Sequence, residues 1–223
     1  MGCSASVHFH RFSVTGKAKP EVRVSTVDVV AAAESPADCL SDCATLVSQE
    51  GGTSHSTPTI TARQRTLILT SWRTKLGAMR VALGRQVFLE VFTKRPDLKN
   101  LFTFKSVATV ALQDDEGLHH HAALFMDVLS DVVENIDTLE TVVEQELLTL
   151  GGKHIHFSGF DLTYFPILRK AIIVVWRRAL GRDVGHNTFR AWYRLFSFIV
   201  SKLEDGYSLQ MVNSKEQLSI KDI

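Results

Sequence analysis

The stretch Gly117-Leu118-His119-His120-His121-Ala122-Ala123-Leu124-Phe125 (GLHHHAALF) opens the segment from which the fold can be read. Downstream of it, Phe125, Val128, Leu129, Val132 and Ile136 follow the period of an amphipathic helix. At about 100° per residue, His121 shares that face, because it precedes Phe125 by four positions and Val132 by eleven. His119 and His120 fall more than a quarter turn from its centre, toward Asp127 and Ser130. The spacing therefore predicts that His121 points inward and that His119 and His120 are solvated.

An inward imidazole needs a partner, since a buried polar ring without one is costly. Two readings follow: a core histidine bonded to a backbone carbonyl, or a metal ligand. A second stripe bears on the choice. Val143, Leu147, Leu150 and His154 are spaced by four, three and four, and His156 points away from them. Gly151 and Gly152 stand just before His154. They read as a helix end, or as a gap that lets a bulky planar ligand approach the backbone. Antiparallel packing of the two helices would set His121 and His154 across one shared cavity.

The rest of the segment from about residue 60 to 209 is helical almost throughout. Thr61 is the expected N-cap of a first helix carrying Leu67, Leu69, Trp72 and Leu76. A second carries Val81, Val87, Phe88, Val91 and Phe92 and stops near Arg95-Pro96. After a short turn come the His-rich helix to about Asn135 and another from Leu139 to just past Gly152. The last two cover roughly Leu162 to Leu180 and His186 to Leu203. No segment alternates like a strand, so the expected class is all-α with about seven helices.

A chain of 223 residues with 45% hydrophobic content can bury a full core. Its net charge of +1 gives no reason to expect a nucleic-acid partner. The longest apolar run, Ala171 to Trp176, fits a buried helix and is far too short for a membrane span. No signal-peptide pattern opens the chain, so a reducing cytosol is the expected compartment. Cys3, Cys39 and Cys43 all precede the apolar-rich region and are read as free thiols. Residues 1–58 read as a flexible extension, residues 59–209 as one domain, and residues 210–223 as a loose polar tail.

The chain begins Met1-Gly2-Cys3-Ser4-Ala5-Ser6, which fits N-myristoylation of Gly2 once Met1 is removed. One acyl chain binds membranes only marginally, and a second signal makes attachment stable. Cys3 is placed for palmitoylation beside it. The balance of +3 over residues 1–27 suits an anionic inner leaflet, whereas residues 28–58 carry −5. The expected location is the cytoplasmic side of the plasma membrane, with the cytosol as the alternative.

Together these residues resemble the globin family over roughly residues 60–207. Trp72 lies in the first helix, and Phe102 follows Pro96 by six. His121 is followed one turn on by Phe125, His154 sits in an LGGKH context, and Trp192 lies in the last helix. The segment from His121 is most similar to neuroglobin-like and invertebrate neural globins, and the Gly2-Cys3 start resembles the membrane-attached globin X. The resemblance implies a globin fold of seven to eight helices around haem b. His154 would be the proximal iron ligand, and His121 the distal residue or sixth ligand. Phe102 would stack on the porphyrin. Phe88, Phe92 and Phe125 would close the distal side, with Phe104, Phe160 and Leu168 as further wall residues. Two departures stand out. Phe125 occupies a position where many globins carry valine, and Leu124 one where a basic residue often meets a haem propionate.

The implied function is binding of O₂, NO or related diatomic ligands, or electron exchange with a redox partner protein, close to a membrane. It would serve redox signalling, sensing or lipid protection. A haem-dependent nitrite reductase or peroxidase, and a haem-free globin-fold regulator, are the alternatives. Zinc held by His119, His120 and His156 is disfavoured, because consecutive histidines diverge on a helix.

Overall fold

The structure is a computed structural model that describes residues 60–181 and 184–221, with side chains as far as Glu216. Among the described residues all regular structure is helical. Helix α1 (Ala62–Ser71) starts at a capping box. Thr61 Oγ1 accepts from the Gln64 N–H at 3.3 Å, and Gln64 Oε1 accepts from the Thr61 N–H at 3.0 Å. The chain continues through a π-helical turn (Trp72–Leu76) and a 3-10 turn (Gly77–Met79) into α2 (Arg80–Lys94). Helix α2 ends at Arg95, which leaves the helical region before Pro96, as the residue preceding a proline tends to do.

Two 3-10 segments, Pro96–Leu101 and Thr109–Asp114, lead to α3 (Glu116–Glu134). The Asp115 side chain caps α3 by accepting from the Leu118 N–H at 2.9 Å. A 3-10 turn and a π-helical turn (Leu139–Val143) then enter α4 (Glu144–Lys153). A further 3-10 turn, His154–His156, follows. Helix α5 (Tyr164–Leu180) stops at Gly181, whose φ of 78° favours glycine. Helix α6 runs from His186 to Lys221.

Glycines allow two close helix crossings. A Cβ on Gly84 of α2 would lie 2.6 Å from Met126 Cγ and 2.9 Å from the Ala122 carbonyl oxygen of α3. On α4, a Cβ on Gly151 would overlap the Leu203 carbonyl of α6, and one on Gly206 would overlap the Leu148 carbonyl. A separate aromatic cluster fills the core between the start of the domain, α5 and α6. Trp192 lies 6.1 Å from Trp72 and 5.8 Å from Trp176 between ring centroids, and stacks on Phe196 at 5.5 Å. Trp192 Nε1–H donates to Ser71 Oγ at 2.9 Å, whereas the buried Trp176 Nε1–H has no partner among the described residues.

Three expectations are corrected. The segment from Met211, expected as a loose tail, is helical to Lys221 as the continuation of α6. Gly151 and Gly152 do not open the backbone to a planar ligand. Gly151 accommodates Leu203, and Gly152 faces Gln210 and Gly206 of α6. His119 is half-buried rather than solvated, its Nε2 lying 2.7 Å from the Gln113 carbonyl oxygen. The N-terminal extension, with Gly2 and Cys3, lies outside the described residues.

Candidate functional site

The Gly84 crossing presses α3 against α2 and brings His121 among aromatic rings. The His121 ring lies 4.8 Å from Phe88 and 4.8 Å from Phe102, edge-on to both. Phe125 meets Phe88 at 5.8 Å, again edge-on. Phe102 stacks on Phe104 at 5.0 Å and meets Phe92 at 5.3 Å. Edge-to-face rings at these separations attract beyond their area burial. Three chain segments thus converge on one imidazole: α2, the loop after Leu101, and α3.

His154 has a second aromatic set of its own. Its ring lies 4.9 Å from Phe160, 5.1 Å from Phe165 and 5.6 Å from Phe157. Tyr207 of α6 closes on Phe160 at 5.8 Å and donates its O–H to the Phe160 carbonyl at 3.3 Å. His154 Nδ1 is 2.8 Å from the Leu150 carbonyl oxygen. A carbonyl only accepts, so Nδ1 carries the proton and Nε2 keeps a free lone pair.

Electrostatics keep both rings neutral. Burial lowers the pKa of His121 to about 4, with the nearby His154 and then His120 adding to the shift. Burial also lowers that of His154, against the opposing hydrogen bonds of the Leu150 and Gly151 backbone. The two imidazoles are close enough for a charge on one to disfavour a charge on the other. Among the described residues, histidine ring hydrogen bonds belong to His119 and His154, and His121 makes none.

The structure therefore brings His121 together with Phe88, Phe92, Phe102, Phe104 and Phe125, and His154 with Phe160. Leu168 is half-buried on α5, three residues beyond Phe165. His120 and His156 are exposed, and among the described residues no three His, Cys, Asp or Glu side chains group to hold an ion. Phe157, Phe165 and Tyr207 were not expected from sequence. Phe165, Ile172 and Trp176 repeat at seven and four, a stripe that could have shown Phe165. Nothing local announces Tyr207, whose partner Phe160 lies 47 positions away.

Two neutral histidines, each walled by aromatic rings and connected through helices of this topology, define a class. The globin family model matches residues 85–203, more than half the chain, and the chain belongs to the globin family, whose members bind haem. Its relatives include a globin-related protein, glb-13, of Caenorhabditis elegans, 29% identical over 167 residues that cover 70% of this chain. The chain spans only 56% of that relative's length. An anaerobic nitrite reductase of Gossypium hirsutum is 26% identical over 149 residues, 65% of this chain and 88% of that one. A crystal structure of a hexacoordinated haem protein from an anhydrobiotic tardigrade, at pH 4, superposes with a TM-score of 0.62. It is 24% identical, and the match covers 66% of this chain and 95% of the other, so it shows the shared fold.

The residues present fit haem. The donor set is two uncharged imidazoles, one with its proton fixed away from the free nitrogen, and the surrounding rings suit a planar apolar macrocycle.

Proposed function

We propose that this chain is a membrane-tethered globin whose haem is held by His154, with His121 on the opposite side of the site. The observation that carries the reading is the hydrogen bond from His154 Nδ1–H to the Leu150 carbonyl, which leaves Nε2 as the free base of a buried aromatic site. That bond also fixes the ring's orientation and raises its basicity as a ligand. His121, neutral and without a hydrogen-bond partner among the described residues, is available to fill the sixth position or to hydrogen-bond a small ligand there. Phe88, Phe102, Phe104 and Phe125 exclude water from that side, and Phe160 and Leu168 wall the other. Bound haem supplies an iron centre that takes diatomic ligands such as O₂ or NO and exchanges electrons. Haem b fits best, because Cys3, Cys39 and Cys43 form no C-x-x-C-H attachment motif.

The tether is the Gly2-Cys3 acylation signal, which places the protein at the inner face of the plasma membrane, beside lipids and a redox partner protein. Attachment there suits redox signalling, sensing or protection of lipids better than bulk transport. No helix among the described residues is long and apolar enough to cross a membrane. A haem-dependent reductase or peroxidase is the second reading, and similarity to the anaerobic nitrite reductase of Gossypium hirsutum favours its reductase form.

The visible spectrum of the reduced, oxygen-free protein tests the haem assignment. Sharp, split low-spin bands mean that His121 and His154 both bind the iron. A broad high-spin band means an open sixth position. Absence of any haem band after haem is supplied overturns the reading in favour of a haem-free regulator. Release of the Gly2→Ala chain from the membrane fraction of cells is the result expected for the tether, and persistence there removes it.

A further inference from the structure

His121 has a defined place among aromatic rings but, among the described residues, no hydrogen bond that holds it there. Its position follows from how α3 lies on α2. Along that interface Gly84 meets Ala122, and Phe88 meets both His121 and Phe125. These are apolar contacts, and apolar attraction is non-directional, so they resist separation better than sliding or rotation. Arg80 and Asp127 also face each other across the two helices, but at 4.0 Å and with both side chains exposed, a pair that contributes little.

His119, two residues before His121, supplies a directional fastening. Its half-buried ring lies where α2, α3 and the preceding 3-10 segment meet. Nε2 is 2.7 Å from the Gln113 carbonyl oxygen and 3.2 Å from Arg85 Nη1. A carbonyl only accepts and a guanidinium only donates, so Nε2 serves one of them at a time. The shorter contact gives Nε2 the proton and makes the Gln113 carbonyl its acceptor. The opposite tautomer would accept from Arg85 instead, so either one fastens the first turn of α3 to a neighbouring segment. That turn also rests on the aromatic loop, because a Cβ on Gly117 would lie 3.1 Å from Phe104 Cδ1, and Phe104 stacks on Phe102. A shift of the turn therefore moves His121 and disturbs the rings beside it.

We propose that His119 is the positioning residue for His121: its ring anchors the start of α3 to the Gln113 carbonyl, with Arg85 as the alternative partner, and so holds His121 toward the site. The inference rests on the haem reading above and deepens it by naming what sets the distal side. Without the anchor, α3 pivots about the Gly84 crossing, and His121 is turned inward for less of the time. A hydrogen bond of ordinary net worth biases such an equilibrium roughly five-fold.

The test uses the full chain, loaded with haem, reduced and saturated with carbon monoxide, whose infrared stretching band reports whether an imidazole lies beside it. His121→Leu gives the band of a site without that imidazole. In His119→Leu this band should grow roughly five-fold relative to the band of the unaltered protein. Amides 119–122 of the haem-free variant should also exchange faster with deuterium. His119→Gln keeps an N–H donor at similar reach and should restore both readings. Unchanged bands in His119→Leu, even with faster exchange, reduce His119 to a structural fastening and overturn the proposal. So does His119→Gln behaving like His119→Leu. Failure of the chain to take up haem, or the same band in His121→Leu as in the unaltered protein, is instead the failure of the haem or distal assignment, and takes this proposal with it.

Discussion

His154, which caps the end of α4, donates its Nδ1–H to the carbonyl of Leu150 at 2.8 Å, one turn back in that helix. The bond holds the imidazole by its outer nitrogen and leaves the inner one uncommitted. His154→Ala removes that nitrogen, and the purified variant should lose haem on gel filtration while keeping its helical circular dichroism. Retention equal to the unaltered protein would remove His154 from the proximal position.

His121 has the opposite character: it is packed among Phe88 and Phe102 and hydrogen-bonds nothing described. In the haem-free protein its folded pKa of about 4 lies below the ordinary 6.5. Between these values the unfolded chain binds more protons, so stability rises with pH. The haem-free protein should lose on the order of 3 kcal/mol as pH falls from about 6.5 to 4. His154, lowered by the same burial, adds in the same direction. His121→Leu should flatten the slope, raise stability at pH 5, and change the spectrum of the haem-loaded protein. Urea unfolding across this range checks it, and a variant with the original slope would remove His121 as its source.

Gly151→Ala puts a methyl group into the backbone of Leu203. Because α6 must move away to make room, the cost should be about 3 kcal/mol, the upper end for overpacking. Gly152→Ala meets Gln210 Cβ at 3.3 Å and the Gly206 carbonyl oxygen at 3.4 Å, contacts that a shift of a few tenths of an ångström relieves. It also gains up to about 1 kcal/mol of helix propensity, so it should be near neutral. Thermal unfolding of both variants separates them, and equal effects would contradict the close crossing of α4 and α6.

Trp176 and Trp192 are both fully buried, but Trp192 Nε1–H is bonded to Ser71 and Trp176 Nε1–H is unpaired among the described residues. Replacement by Phe creates a similar void at each. At position 176 it also deletes an unsatisfied donor, and at position 192 it breaks a bond. Trp192→Phe should therefore destabilise by about 1 kcal/mol more than Trp176→Phe in denaturant unfolding.

The sequence by itself determined the helical class, the Thr61 cap, the inward faces of His121 and His154, and the family. The family was legible through the resemblance carried by Trp72, Pro96, Phe102, His121, His154 and Trp192, whereas the inward faces depend on spacing within single helices, whose geometry fixes which residues share a face. Tertiary structure decided the rest. A helical wheel shows that Gly151 is small, but only the approach of Leu203 shows which neighbour the gap admits. His119 looked solvated until the turn ending at Asp114 folded the Gln113 carbonyl onto its ring. The polar stretch after Met211 has little pattern to predict a helix, yet α6 arrives there already formed, and extending a helix costs far less than nucleating one. The aromatic wall of His154 draws on Tyr207, far along the chain from Phe160. Such contacts follow from helix crossings, which local periodicity does not encode.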